Sequence, residues 1–519
     1  MSEEKDNKEK NKALKTIAKG GGIVFLGLIF AKFFGYLFRI VVARFLGSDV
    51  YGLYSLGLAA YSILVAVSLL GVASGIRRFI AYHRGRDEDK VRGALRTGLK
   101  ISMPIGIIFS IILVIFGNQL GLILFDSADM GLVLRVFGLL LPFKVLLRNI
   151  ESVAMGLKKA KYYIYSRRVI PRGSKFLLVI LFIFLGFELL GVLAAFFIST
   201  IFGLVAITYF VVFKIDYFSF SESSFSARKM LLYSWPLVIA AIFMKVIGWT
   251  DVLMMGHFLT ESQVGIYNAA LPTAMILPFF LKAVRKIIFP VFSELYGEGK
   301  LSEFRRIYQV STKWIFAATL PFFMIMFLFP RQLMSLLFGA EFTPAALSLS
   351  ILALAYFYYA SLGSLDRVIK SIGKTKIYAL VMGISAAVNI ALNWLLIPIY
   401  GMVGGAIATT VSVILYSTLW LLLVYRELRL IPFTLSYLKV ALSGLISVSI
   451  TYFGLRYLVE TPTIPIYILA FVIFVSIYAF LCLAMKVLDS EDIMIMKAAE
   501  RKLGIDLRLI KDLIKRFNP

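Results

Sequence analysis

The chain has 519 residues, of which 60% are hydrophobic and only 16% charged, at a mean hydropathy of +0.88. These proportions exclude a soluble globular enzyme and imply an all-α integral membrane protein, since a lipid-embedded backbone must satisfy its own polar groups. The formal charge of +26 is basic enough for nucleic acid, but the cations are gathered in short segments between apolar stretches, so no nucleic-acid partner is expected.

Residues 1–21 are a polar amino-terminal tail, and the apolar stretch after it has the length of a full span rather than of a short signal segment. Stretches of about 20 apolar residues, enough to cross a hydrocarbon core at 1.5 Å per residue, recur at 22–46, 51–76, 99–124, 130–156, 173–187, 189–213, 230–256, 264–289, 312–337, 345–371, 376–398, 401–425, 435–459 and 463–487. The expected architecture therefore has 14 transmembrane helices. The loops between them alternate. Those from Arg77 (RRFIAYHRGRDEDKVRGALRTGLK), Lys158 (KKAKYYIYSRR) and Arg426 (RELR), with 282–313 and 370–376, are basic. DSAD at 126, GFE at 186, LTESQ at 259, PIYG at 398 and VETPTIP at 459 hold scarcely a cation. Cytoplasmic loops retain positive charge, which predicts both termini inside, N-in/C-in. The tail 489–519 is basic and amphipathic, with Leu503, Leu507, Ile510 and Phe517 among Arg508, Lys511, Lys515 and Arg516. It is expected to lie on the inner leaflet.

The chain repeats itself. FAKFFGY (Phe30 to Tyr36) returns 213 residues later as FMKVIGW (Phe243 to Trp249), so Lys32 and Lys245 are equivalent. At the same shift RFLGSDVYGLYSL from Arg44 lies over HFLTESQVGIYNA from His257, and QLGLILF from Gln119 over QLMSLLF from Gln332. A shift of 215 brings Glu151, Lys159, Lys161 and Tyr163 onto Asp366, Lys374, Lys376 and Tyr378, and a shift of 210 brings Gly191 onto Gly401. The predicted organisation is an N-lobe of six helices (22–213), a cytoplasmic linker (214–229), a C-lobe of six (230–425), two further spans (426–488) and the tail. An even number of spans per copy makes the repeats parallel, a plan that places a central cavity between lobes that rock.

An ammonium at mid-bilayer costs roughly 2.5 to 3.5 kcal/mol, so intramembrane cations gather in polar cavities or snorkel to an interface. Lys32 sits too deep in its span to snorkel, and Arg39 shares its face, with Gly35 and Tyr36 alongside. In the fourth span Lys144, Arg148 and Glu151 share another stripe, while the equivalent positions are Tyr359, Gly363 and Asp366. The N-lobe thus carries an excess of positive charge, with chiefly Lys245 opposite. Lys32, Arg39, Lys144, Arg148 and Lys245 are the expected cavity cations for an anionic, pyrophosphate-bearing substrate. Glu151, Asp251 and Asp366 are the intramembrane acids, suited to charge balance or to H⁺ or Na⁺ coupling. Tyr36, Trp249 and Tyr267 are candidates for sugar stacking, although aromatic side chains also serve packing in membrane helices. The single Cys482, and His83 and His257 standing far apart, predict no disulfide, metal site or cofactor. No glycine-rich phosphate loop is present, and the predicted outer loops are too short for catalytic machinery, so an enzyme is not expected.

The opening stretch KGGGIVFLGLIFAKFFGYLFRIVVARFLGSDVYGLYSL, with GVASGIRRFIA after it and ALNWLLIPIYGMVGGAIATTVS from Ala391, resembles the polysaccharide-flippase branch of the multidrug/oligosaccharidyl-lipid/polysaccharide exporter superfamily. Within it the O-antigen translocases and the stage V sporulation protein B group are nearest. The resemblance spans essentially the whole chain and implies a flippase that moves a polyprenyl-(pyro)phosphate-linked oligosaccharide across the cell membrane by alternating access. It also implies a monomer working with glycan-assembly enzymes. The lipid II flippases and cation-coupled multidrug antiporters are the related alternatives, and a membrane glycosyltransferase the remote one. Phe38 stands before Arg39, whereas the lipid II flippases place their first-span arginine just before an Asp.

Overall fold

The computed structural model describes residues 2–215, 217, 225–458, 464–487 and 492, and among these it contains helices and no strand. The tail 489–519 apart from Asp492, part of the 214–229 linker and the 459–463 loop lie outside the described residues. Nine of the described helices are long and apolar enough to cross a membrane, or ten if the bent pair Glu261–Ala274 and Phe279–Arg285 is one span. The protein is a multi-pass membrane protein. Its chain divides into two compact units, Met1–Asn268 and Ala269–Pro519. That boundary lies well past the 214–229 linker, because the helix that opens the second repeat packs with the first.

The first unit starts with α1 (Ser2–Leu69), which is broken at Gly47, where φ is 81°. The left-handed region is open to glycine without a Cβ clash. An unbroken helix of that length would overshoot a bilayer several-fold, so the break is what turns one apolar run into two spans. A second break at Gly71 leads to α2 (Val72–His83). Asp87 then caps α3 (Glu88–Phe125), its carboxylate accepting from the Lys90 backbone N–H at 3.0 Å and pairing with the Lys90 ammonium at 2.5 Å. Those two hydrogen bonds to Lys90 hold the Asp87 carboxyl below its ordinary value.

α4 (Asp129–Gly156) is followed by α5 (Ala160–Ile164), a π-helical turn at Tyr165–Val169, α6 (Ile170–Phe184) and α7 (Leu189–Tyr209). The fifth span was expected to begin at 173, after a basic loop; helix instead runs through that loop from Ala160. Pro171, at the start of α6, has no N–H to give and its ring crowds the carbonyl one turn back, which widening to a π turn relieves. α8 (Ala227–Phe258) and the first part of α9 (Glu261–Ala274) complete the unit. Val72, Ile76, Ile80, Leu147, Ile150, Val153, Ile207 and Met230 form its buried apolar cluster.

The second unit contains α10 (Phe279–Gly297), α11 (Leu301–Leu328), α12 (Pro330–Phe338), α13 (Ala346–Ser361), α14 (Leu365–Ser371), α15 (Thr375–Leu428), α16 (Leu435–Leu458) and α17 (Ile464–Ala484). α15 breaks at Gly401, at φ 57°. The expected single span over 345–371 is two helices. Gly363 takes φ 68° with Thr312 packed against it, which separates α13 from α14.

The last two helices dock along α11. Phe316 stacks on Tyr437 at 4.0 Å, the Tyr478 hydroxyl donates to the Ala317 carbonyl at 3.0 Å, and Gly444 makes room for Leu320. At one end Lys313, 4% exposed, pairs with fully buried Asp492 at 2.7 Å and donates to the Val487 carbonyl at 3.1 Å, while Trp314 Nε1 donates to the same carboxylate at 2.8 Å. Lys100, the repeat equivalent of Lys313, is exposed. Breaking a buried pair strands a charge at a cost of about 3 to 5 kcal/mol, whereas replacing both partners by apolar groups is often neutral. Lys313→Met and Asp492→Leu are therefore expected to lower the unfolding midpoint of the purified protein strongly when made singly, and the double variant to recover most of the loss. Additive losses would show that the pair does not fasten this hairpin.

Candidate functional site

The cations of the first unit converge from four helices. On α1, Lys32 is exposed and Arg39 half-buried. Arg39 Nη1 donates to the Tyr51 hydroxyl at 3.0 Å, which in turn donates to the Asn268 carbonyl at 3.1 Å. From α6, Arg172 Nη1 donates to the Ala31 carbonyl at 3.2 Å. Its guanidinium occupies the recess left by Gly35, where a Cβ would collide with it. Lys175, one turn further on, donates to the Tyr54 hydroxyl at 3.2 Å and lies 3.6 Å above the Phe38 ring, with Tyr54 at 5.6 Å and Phe196 at 5.4 Å. A cation over aromatic faces is held without a counter-charge. The charges acting most strongly on Lys32 are those of Arg172, Arg168 and Arg39, and on Lys175 those of Arg172, Arg39 and Lys144.

A second group surrounds Glu151 on α4. Its carboxylate is 2% exposed and accepts from Arg148 at 3.2 Å and from Arg167 at 3.4 Å. Arg148 lies one turn back on the same helix, while Arg167 arrives from the π-helical turn. That turn's extra residue aims Arg167 at Glu151, and Arg168 falls within range of Lys32. Lys144 is in the field of Arg148, Glu151, Arg167 and Arg172, and exposed Lys245 on α8 is in the field of Arg148 and Arg167. Lys32, Lys144, Arg168, Lys175 and Lys245 have no carboxylate partner among the described residues.

Lys32, Arg39, Lys144, Arg148, Glu151 and Lys245 are thus brought together in one unit. Arg167, Arg168, Arg172 and Lys175 were missed. The first two lie in the Lys158 stretch read as a basic loop, and the other two, at the start of the fifth span, were given no role. The available signal was spacing, because Arg168, Arg172 and Lys175 recur at i, i+4 and i+7 and so share a helix face.

Elsewhere in the unit Asp251, 7% exposed, accepts from the Tyr267 hydroxyl at 3.0 Å. Tyr267 is fully buried, so in this structure its ring presents no face on which a sugar can stack. Tyr36 and Trp249 are half-buried. His257 Nδ1 lies 3.2 Å from the Leu124 carbonyl.

The repeat-equivalent segments meet each other here. Ser48 Oγ and Ser262 Oγ share a hydrogen bond of 2.5 Å. A Cβ on Gly52 would strike the Glu261 carbonyl, and one on its counterpart Gly265 the Ser48 carbonyl. Two backbones cross at the same repeat position of each copy, an approach only glycine permits.

In the second unit Asp366 is likewise an arginine partner. Arg285 Nε lies 3.0 Å from it, Arg367 Nε 3.4 Å and Lys370 Nζ 4.0 Å, and Arg285 Nη2 donates to the Tyr359 hydroxyl at 2.5 Å. Tyr359 and Gly363 do stand where the first copy has Lys144 and Arg148, but this half is not left with Lys245 as its chief cation: Arg285 comes from α10 and Arg367 and Lys370 from α14, at positions the repeat alignment does not pair with Lys144 and Arg148.

Residues 17–296 match the family model described as "Polysaccharide biosynthesis protein", and residues 236–395 a second described as "MatE". The chain is 26% identical over 402 residues to the "Probable low-salt glycan biosynthesis flippase Agl15" of Haloferax volcanii, covering 76% of this chain and 78% of that one. It is 21% identical over 389 residues to the "Putative O-antigen transporter" of Shigella flexneri, covering 73% and 91%. Among solved structures, "Lipid II flippase MurJ, inward closed conformation" superposes with a TM-score of 0.69 over 88% of this chain and 97% of that one. At 16% identity that likeness shows a shared fold.

Proposed function

Because the chain belongs to the polysaccharide biosynthesis protein family, we propose that it is a flippase, not an enzyme, carrying a polyprenyl-(pyro)phosphate-linked oligosaccharide from the cytoplasmic to the outer leaflet of the cell membrane. The observation that carries this reading is the convergence of Lys32, Arg39, Arg168 and Arg172, with no carboxylate partner for them among the described residues. Such a group needs an anion and repels a cationic drug. A lipid II flippase is the second reading, favoured by the fold likeness, since that substrate also carries a pyrophosphate.

We take the topology to be 14 spans with both termini cytoplasmic. The breaks at Gly47 and Gly401, which halve two long helices, support that number, as do α6, just short of full span length, and α8. The lobes of the repeat, 22–213 and 230–425, are read as the moving halves. Charge balance is the role we assign to Glu151 and Asp366, on their ion pairs; coupling to H⁺ or Na⁺ is kept for Asp251. The transporter acts as a monomer with glycan-assembly enzymes.

The test is affinity for polyprenyl carrier with and without its pyrophosphate. A lost contact to a charged group costs about 1.5 to 3 kcal/mol, roughly ten- to a hundredfold in affinity. Wild type is expected to lose at least that much on removal of the pyrophosphate, and Arg39→Gln to lose less, having already forfeited part of the grip. Equal wild-type affinity for both carriers would end the anionic-substrate reading.

A further inference from the structure

The charge of the first unit exceeds what a pyrophosphate neutralises. One group, Lys32, Arg39, Arg168 and Arg172, lies between α1 and α6 with no carboxylate partner among the described residues, Lys175 beside it being held by the Phe38, Tyr54 and Phe196 rings. The other, Lys144, Arg148, Arg167 and Lys245, has Glu151 alone among the described residues. A pyrophosphate bridge brings one negative charge per phosphorus. Seated in the first group, it leaves the second almost untouched. Cations that close repel one another, the more so in low-dielectric surroundings. Each uncompensated one in a membrane span is costly to hold there. A site built to close on its substrate therefore needs further negative charge.

The geometry of the second group suits an oxyanion. Arg148 and Arg167 each spend one N–H on Glu151, and a guanidinium has five. Glu151 thereby fixes the two forks, an arrangement that reads a carboxylate or sulfate through paired hydrogen bonds. Lys144 and Lys245 add charge from α4 and α8.

Resting on the flippase reading, we infer that the transported glycan is itself acidic. It bears a uronic-acid carboxylate or a sulfate that Lys144, Arg148, Arg167 and Lys245 receive while the pyrophosphate sits between α1 and α6.

The test uses the full chain in lipid nanodiscs and three probes: polyprenyl-pyrophosphate-linked disaccharide ending in glucuronic acid, the same ending in glucose, and bare polyprenyl pyrophosphate. The acidic glycan is expected to bind about tenfold or more tightly than the neutral one, the worth of one charge-assisted contact. Lys144→Gln with Lys245→Gln should collapse that gap, and Lys144→Arg with Lys245→Arg should keep it, which separates lost charge from lost folding. Equal, tight binding of both glycans overturns the acidic-sugar inference and leaves the flippase reading standing. A gap that chloride closes shows that a free anion fills the second group, and overturns it as well. If none of the three probes binds, the flippase reading falls with it.

Discussion

Joining Ser48→Cys to Ser262→Cys by a disulfide should arrest glycan flipping almost completely, and a reductant should restore it. The two hydroxyl oxygens are 2.5 Å apart, close to the separation a disulfide demands. The native chain has only Cys482, which lies in the other unit, so the bond formed can be assigned. The effect is large because of where the link falls. Gly52 and Gly265, one turn further along on each side, let α1 and α9 cross backbone to backbone. Alternating access requires such a crossing to open on one side of the membrane while the other closes. Flipping of labelled lipid-linked glycan in proteoliposomes, before and after reduction, measures it. Normal flipping by the fully cross-linked protein would show that these segments do not part during transport, and the rocking-lobe mechanism would have to be given up.

Removing both repeat-matched ammonium groups should have the next largest effect. Lys32→Ala and Lys245→Ala are each expected to lower flipping about ten- to a hundredfold, the equivalent of one lost charged contact. Both side chains are exposed and lack a carboxylate partner among the described residues, so neither change should unfold the protein. Lys→Arg at either position should retain more activity than Lys→Ala, and Lys→Glu the least, because the charge and not the packing is being tested. Since Lys32 belongs to the group between α1 and α6 and Lys245 to the group around Glu151, the double variant should be worse than either single one. Wild-type flipping by the double Ala variant, correctly inserted, would remove both residues from the transport path.

Membrane class was legible in the sequence because it depends on composition and on the length of apolar runs, which need no tertiary information. The internal repeat was equally plain. Lys32 and Lys245, or Gly52 and Gly265, declare their equivalence by a constant spacing. Intramembrane cations stood out as well, since each carries a cost that only a cavity or a partner removes. Tertiary structure alone decided what they meet. That Gly52 touches the Gly265 segment is a matter of which helices pack, and spacing is silent on it. Lys175 reads as an ordinary span-edge lysine until Phe38, Tyr54 and Phe196, from two other helices, close around it. Arg167 reads as a loop cation until the π turn before Pro171 delivers it to Glu151. Asp366 keeps its carboxylate at the repeat position, but its cations arrive from Arg285, Arg367 and Lys370, which the repeat does not predict. The physical reason is common to these cases: hydropathy and periodicity report how a helix relates to lipid, whereas a buried charge is satisfied by long-range packing that no local pattern encodes.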